Sequence, residues 1–218
     1  MVANNAIDFF QLDDIAAALE PTLRYAMMVS TFGSVMDHVG IASLVKHCEA
    51  ILNQDDFVSF VELSRRAIIK TIAMVGSARA HYAMIILMQA VSEDVKAKLS
   101  KDVYRTEEEQ DYKLVSKRGQ DFARRVFEDH ADAILKDNTD MCPELLPVFF
   151  FDAYGRFICS EGIMPLKESE LCILAAVIPL QIEDYINIHI KGSAVYGANK
   201  DEINAAMAVG DLVLKGGA

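Results

Sequence analysis

The stretch Ile178–Met207, IPLQIEDYINIHIKGSAVYGANKDEINAAM, carries its own punctuation. Pro179 and Gln181 interrupt one helical run. The next run bears Glu183, Tyr185 and His189. Gly197 stops it, Asn199 caps a third helix, and Asp201 and Glu202 fall in that helix's first turn. In such a helix His189 lies over Tyr185 and Ile186, three to four residues back. Glu183, six residues back, points to another side. On its own helix, therefore, the imidazole has a phenol and apolar neighbours but no carboxylate.

The pattern has an earlier counterpart. Sliding the chain by 108 positions places Glu62-Leu63 on Glu170-Leu171, His81 on His189 and Ala90 on Ala198 without a gap. Glu93-Asp94-Val95 falls on Asp201-Glu202-Ile203. This reads as two degenerate copies of one helical unit, an N-terminal half over 1–105 and a C-terminal half over 106–218. A pseudo-twofold relation between 55–99 and 163–207 is expected from it.

Composition agrees with an all-α protein. The 218 residues are 52% hydrophobic, with five prolines and no tryptophan, enough for one large helical domain or two closely packed halves. A net charge of -11 leaves no basic footprint for nucleic acid or an anionic membrane surface. The apolar region 67–91 contains Lys70, Arg79 and His81, so it reads as buried helices rather than a membrane span. Cys48, Cys142, Cys159 and Cys172 form no Cys-x-x-Cys pair. They suit reduced thiols in an intracellular compartment, the cytoplasm or an organellar matrix, mitochondrial or peroxisomal included. No basic leader is visible over Met1–Asp8, and no metal or cofactor motif occurs.

Helices are expected over 7–20, 22–39, 42–53, 55–75 and 78–91, with another opening at Ser92-Glu93-Asp94. The methionines of 22–39, Met27, Met28 and Met36, read as core filler. A charged seam at 101–112 separates the halves. Beyond it one long amphipathic helix is expected over 107–136, bearing Lys117, Arg118, Arg124 and Arg125. An aromatic helix with Phe149, Phe150, Phe151, Tyr154 and Phe157 is expected over 144–160, reading as core or subunit interface.

From about Lys117 to Ala206 the chain resembles the carboxymuconolactone decarboxylases, whose fold is shared with the alkylhydroperoxidase D-like proteins. Arg118-Gly119, Arg124-Arg125-Val126-Phe127 and Asp129 resemble the family's arginine-rich segment. Ala153-Tyr154-Gly155 resembles its Ala-Trp-Gly, and Glu170-Leu171 through Ala175 the helix start before its active helix. His189-Ile190-Lys191-Gly192-Ser193-Ala194, Gly197 and Asp201-Glu202-Ile203 resemble its histidine signature. The resemblance implies an all-α fold and a trimeric or hexameric homo-oligomer. It also implies, for an active member, acid–base chemistry on a small organic acid or lactone.

Two departures stand against that resemblance. Peroxidase members carry Cys-x-x-Cys ending four residues before the histidine, where this chain has Ile182 and Tyr185, and in the first copy Met74 and Ser77. Dithiol peroxidase chemistry needs both thiols and is not expected. Decarboxylases place a glutamate four residues before the histidine, where Tyr185 stands. Two functions are then expected. In the first, a lyase-like enzyme uses His189 with Tyr185 and Glu183, and Arg124 or Arg125 holds a substrate carboxylate. In the second, the chain is a catalytically inactive scaffold or a subunit of a larger complex.

Overall fold

The computed structural model describes residues 7–103 and 110–216. Residues 104–109, part of the expected seam and the expected start of the long helix, lie outside that description. The described residues form helices and no strand. Helix α1 covers Phe9–Ile15, α2 Pro21–Val35, α3 His38–Ile51, α4 Gln54–Val75, α5 Ser77–Ala90 and α6 Glu93–Lys96. In the second half α7 covers Tyr112–Phe127, α8 Ala131–Met141 and α9 Leu145–Pro147, followed by a π-helix over Val148–Ile158. Helices α10 at Leu166–Val177, α11 at Glu183–Val195 and α12 at Lys200–Gly216 complete the chain.

Local chemistry sets most of these boundaries. Pro21 opens α2 at its first turn, where a missing N–H costs nothing. The Asn53 side chain accepts hydrogen bonds from the N–H groups of Asp55 and Asp56, so Asn53 caps α4 while the two acids occupy its first turn. Gly76, with φ +88°, separates α4 from α5. Asn199 and Glu202 form a capping box on α12: Asn199 Oδ1 accepts from the N–H of Glu202 at 3.0 Å, and Glu202 returns the bond to the Asn199 N–H at 2.8 Å. Lys167 adds an ion pair to Glu202 at 2.8 Å, tying α10 to α12.

A similar order of elements occurs twice, although the breaks between helices do not coincide at the 108-residue offset. Helix, break, helix and acidic-start helix occur as α4, Gly76, α5 and α6, and again as α10, Ile178–Leu180, α11 and α12. The members differ in length, with 22 residues in α4 against 12 in α10. One apolar core joins the halves. Met27, Met28, Phe32, Phe60 and Ile68 share it with Leu171, Leu174, Ala206 and Val209. A smaller cluster of Phe122, Val126, Ile158, Ile173 and Val177 lies under α7.

Three expectations are corrected. Met36 is exposed and left-handed at the end of α2, with φ 60°, so it caps the helix rather than filling the core. The long helix is interrupted: at Glu128 the backbone turns to φ 49°, and Glu128–His130 form a 3₁₀ turn before α8. The aromatic segment is a π-helix, closed by the Cys159 N–H to Tyr154 carbonyl bond at 2.8 Å.

Two contacts hold that π-helix. Glycines let its backbone approach α7: a Cβ on Gly119 would lie 2.0 Å from the Phe150 carbonyl oxygen, and one on Gly155 2.3 Å from that of Val115. Arg118 donates from Nη2 to the Gly155 carbonyl at 2.6 Å. At the far end Lys70 reaches across from α4, fully buried. Its ammonium donates to the carbonyls of Phe157, Ile158 and Ser160 at 3.1, 2.9 and 2.7 Å. A cation on these terminal carbonyls opposes the partial negative charge of the helix end.

Gly119→Ala should lower the urea midpoint at unchanged slope. Alanine gains about 1 kcal/mol in helix propensity. The added methyl, however, meets backbone that cannot rotate away, and overpacking costs about 1–3 kcal/mol. Net stabilisation in equilibrium unfolding would refute the close approach.

The Glu202 carboxyl is held below the usual range, first by its Lys167 hydrogen bond and then by the Asn199 N–H. A depressed carboxyl stabilises the fold above its unfolded value of about 4.3 and loses that contribution as pH falls through the lower folded value. NMR titration should show Lys167→Met moving the Glu202 midpoint upward, and an unmoved midpoint would separate the two residues.

Candidate active site

Helix α10 runs through the middle of the protein. Nine of its twelve residues, Ser169 to Val177, are buried, against α2, α4, α11 and α12. Each aliphatic side chain buried there contributes roughly 1.5–3 kcal/mol. That packing carries one carboxyl group inside with it. Glu170 is 0% exposed. Its Oε2 lies 3.0 Å from Nδ1 of His189 on α11, itself 1% exposed.

The partner of His189 is therefore Glu170, nineteen positions away on another helix, and not Glu183. Glu183 sits exposed in the first turn of α11. The signal for Glu170 is present in the sequence, since the 108-residue offset pairs it with Glu62 just as it pairs the two histidines. In the tautomer that carries its proton on Nδ1, the ring donates to the Glu170 carboxylate and Nε2 is the nitrogen left to accept a proton.

The pair is built to a close tolerance. A Cβ on Gly192, one helical turn beyond His189, would lie 2.1 Å from Glu170 Oε2. Only a glycine there lets the carboxyl group settle against α11. The second carboxyl oxygen, Oε1, and the hydroxyl of Ser193 are buried without a hydrogen-bond partner. Orphaned buried polar atoms are few in folded proteins and mark places where more than packing is at stake.

The Glu170 carboxyl group makes ionisation harder for Tyr154, Tyr196 and Cys159. Burial pushes the Tyr154 hydroxyl well up, and the neighbouring Tyr185 and Glu170 add to the rise. Burial raises Tyr196 to about 12, with Cys159 adding and Arg125 opposing. Burial likewise pushes the thiols of Cys159 and Cys172 far up, so both stay protonated and unreactive.

A cavity of about 470 Å³ opens between α7, α8, the π-helix and the start of α11, and His189 and Glu170 are not among its described lining residues. Tyr154 and Tyr185 line it, with Phe127, Ile134, Leu135, Phe149 and Ile188 making much of its wall. Tyr185 also borders a smaller space of about 210 Å³ together with Met74 and Ile182. Ala73, Val177 and Leu180 complete the wall of that smaller space.

The two arginines lie elsewhere. Arg124 is exposed on α7. Arg125 borders a different groove, with Lys117, Arg118, Asp121, Glu161 and Tyr196. Lys117 is paired there with Asp121 at 2.6 Å, and Arg118 is bound to Gly155. The structure thus pairs His189 with Glu170 and sets Tyr185 one turn earlier on α11, while Glu183 and Arg124 are exposed and Arg125 lies against Tyr196 in the other groove. In the first half His81 is exposed on α5, while Glu62 accepts hydrogen bonds from Arg65 and from the Ser100 N–H.

Gly192→Ala should destabilise the wild-type protein, because the methyl displaces the Glu170 carboxyl group from His189. In a Glu170→Ala background the same change should cost much less. Contacting residues typically show coupling of about 0.5–3 kcal/mol in such cycles. Additive effects in urea unfolding would show that Gly192 and Glu170 do not touch.

No family model matches the chain, and no solved structure matches it. Over 90 residues it is 23% identical to the protein named Peroxisomal protein 2 of Schizosaccharomyces pombe (strain 972 / ATCC 24843). The matched stretch is 41% of this chain and 42% of that protein, so the similarity spans less than half of either.

Proposed function

We propose that the chain is a divergent carboxymuconolactone decarboxylase-like protein. In this reading it moves a proton on a small organic acid or lactone through His189, held and tuned by Glu170. The observation that carries the proposal is the fully buried Glu170–His189 pair at 3.0 Å. A buried carboxyl–imidazole pair is costly to assemble from a stability standpoint and suits general acid–base work. The carboxyl group that decarboxylases place four residues before the histidine is absent, and Glu170 takes over its orienting part from the neighbouring helix. Tyr185, one turn before His189, lines the cavity and supplies a hydroxyl at its wall. The halves differ in the same sense, because the exposed His81 has no comparable setting.

The burial of His189 supports a second reading, in which the pair is a retained structural element and the protein serves as an oligomeric scaffold or a subunit of a larger complex. Exposed apolar side chains on the second half, among them Met141, Val148 and Ile182, suit association into a homo-oligomer. Among the described residues no helix is long and apolar enough to cross a membrane. The similarity to a protein named as peroxisomal supports an organellar matrix as the working compartment.

Deuterium uptake at the carbon next to the carbonyl of a simple lactone, followed by NMR in D₂O, separates the readings. Wild type should catalyse exchange. His189→Ala should lose a factor of about 10²–10⁴, the usual share of a general acid or base. His81→Ala should exchange like wild type. Absence of exchange from wild type, or its survival in folded His189→Ala, would favour the scaffold.

A further inference from the structure

We propose that the cavity beside Tyr185 takes an uncharged, largely apolar carbonyl compound, a lactone or ester, and rejects the corresponding carboxylate anion. The volume of the cavity, about 470 Å³, suits a small drug-sized molecule. Among the described residues that line it there is no lysine or arginine, while Asp184 contributes a carboxyl group. An anion entering would leave water for aromatic and aliphatic walls with no cation to meet it, which is prohibitive for an unpaired charge. The amino end of α11 also borders the cavity, but it offers an anion little, because Glu183 and Asp184 already occupy its first turn. A neutral carbonyl has candidate partners: Tyr154 and Tyr185 are among the lining residues, and burial holds the Tyr154 phenol protonated and able to donate.

The arginines expected to hold a substrate carboxylate border another groove or solvent, so their positions agree with a neutral ligand. A neutral carbonyl ligand names the substrate class of the proposed proton-transfer site and rests on that reading for its chemistry once bound. Binding itself can be measured without turnover.

The test compares δ-decalactone with its ring-opened anion, 5-hydroxydecanoate, by saturation-transfer NMR and by the shift in melting temperature at pH 7.5. The lactone should bind, and the anion should bind roughly tenfold more weakly or worse. Asp184→Lys, a change at an exposed position, should narrow that gap by admitting the anion. Ile134→Trp should fill the cavity and abolish lactone binding, and circular dichroism verifies that it folds. His189→Ala should still bind the lactone. Equal or tighter binding of the anion, no binding of either probe, or lactone binding that survives folded Ile134→Trp would overturn the proposal. Lactone binding without deuterium exchange in wild type would leave this inference standing and overturn the proton-transfer reading alone.

Discussion

The structure depends on the burial of α10. A helix enclosed by α2, α4, α11 and α12 cannot keep the Glu170 carboxyl group in water. Glu170 must therefore be paired, or its desolvation would cost several kcal/mol. His189 is the group that meets it, and Gly192 is the gap that lets it do so. Ordinary core packing alone would favour an apolar residue at position 170, since replacing a buried ion pair by well-packed hydrophobic side chains is often neutral or stabilising.

The first half shows the alternative outcome of the same local pattern. Glu62 lies on α4 as Glu170 lies on α10, but it turns to Arg65 and the Ser100 N–H near the edge of the protein. His81 then stays in solvent. The first half contributes Lys70 instead, which the 108-residue offset places opposite Ile178. Its ammonium reaches the carboxyl end of the π-helix, so one half holds the frame on which the other half's Tyr154 and Cys159 sit. The two halves share one core.

Helix positions are legible in the sequence because their causes are local. Pro21, Asn53, Gly76, Gly197 and Asn199 each act within a few residues of a boundary, and the all-α class rests on them. The interruption at Glu128 is not legible, since Glu-Asp-His contains neither glycine nor proline and the positive φ falls on an ordinary residue. Nor is the π-helix. Its wider turn is set against α7 through Gly119 and Gly155 and tied down by Lys70, contacts 31 to 90 residues apart in sequence. The site divides along the same line. His189 and Tyr185 belong to one helix face and can be read together, whereas Glu170 comes from a different helix and only the tertiary packing joins it. Helical spacing sets Glu183 aside from the imidazole face, and proximity in sequence is no guide to a partner.

The protonated thiols and the aromatic residues of this region share one cause, burial. A dithiol site needs thiolates, which need exposure or nearby positive charge to form. Here burial pushes Cys159 and Cys172 the other way, and Glu170 raises Cys159 further. Ile182 and Tyr185 border spaces walled largely by aliphatic and aromatic side chains. Such walls disfavour charge on a ligand as they do on a cysteine. They also strengthen each hydrogen bond made inside, because low dielectric raises electrostatic interactions that are satisfied. A phenol at the wall and an imidazole held by a carboxyl group one helical turn deeper are groups that can act in those surroundings without being ionised beforehand. The same apolar setting that keeps the thiols protonated thus strengthens the carboxyl–imidazole contact buried within it.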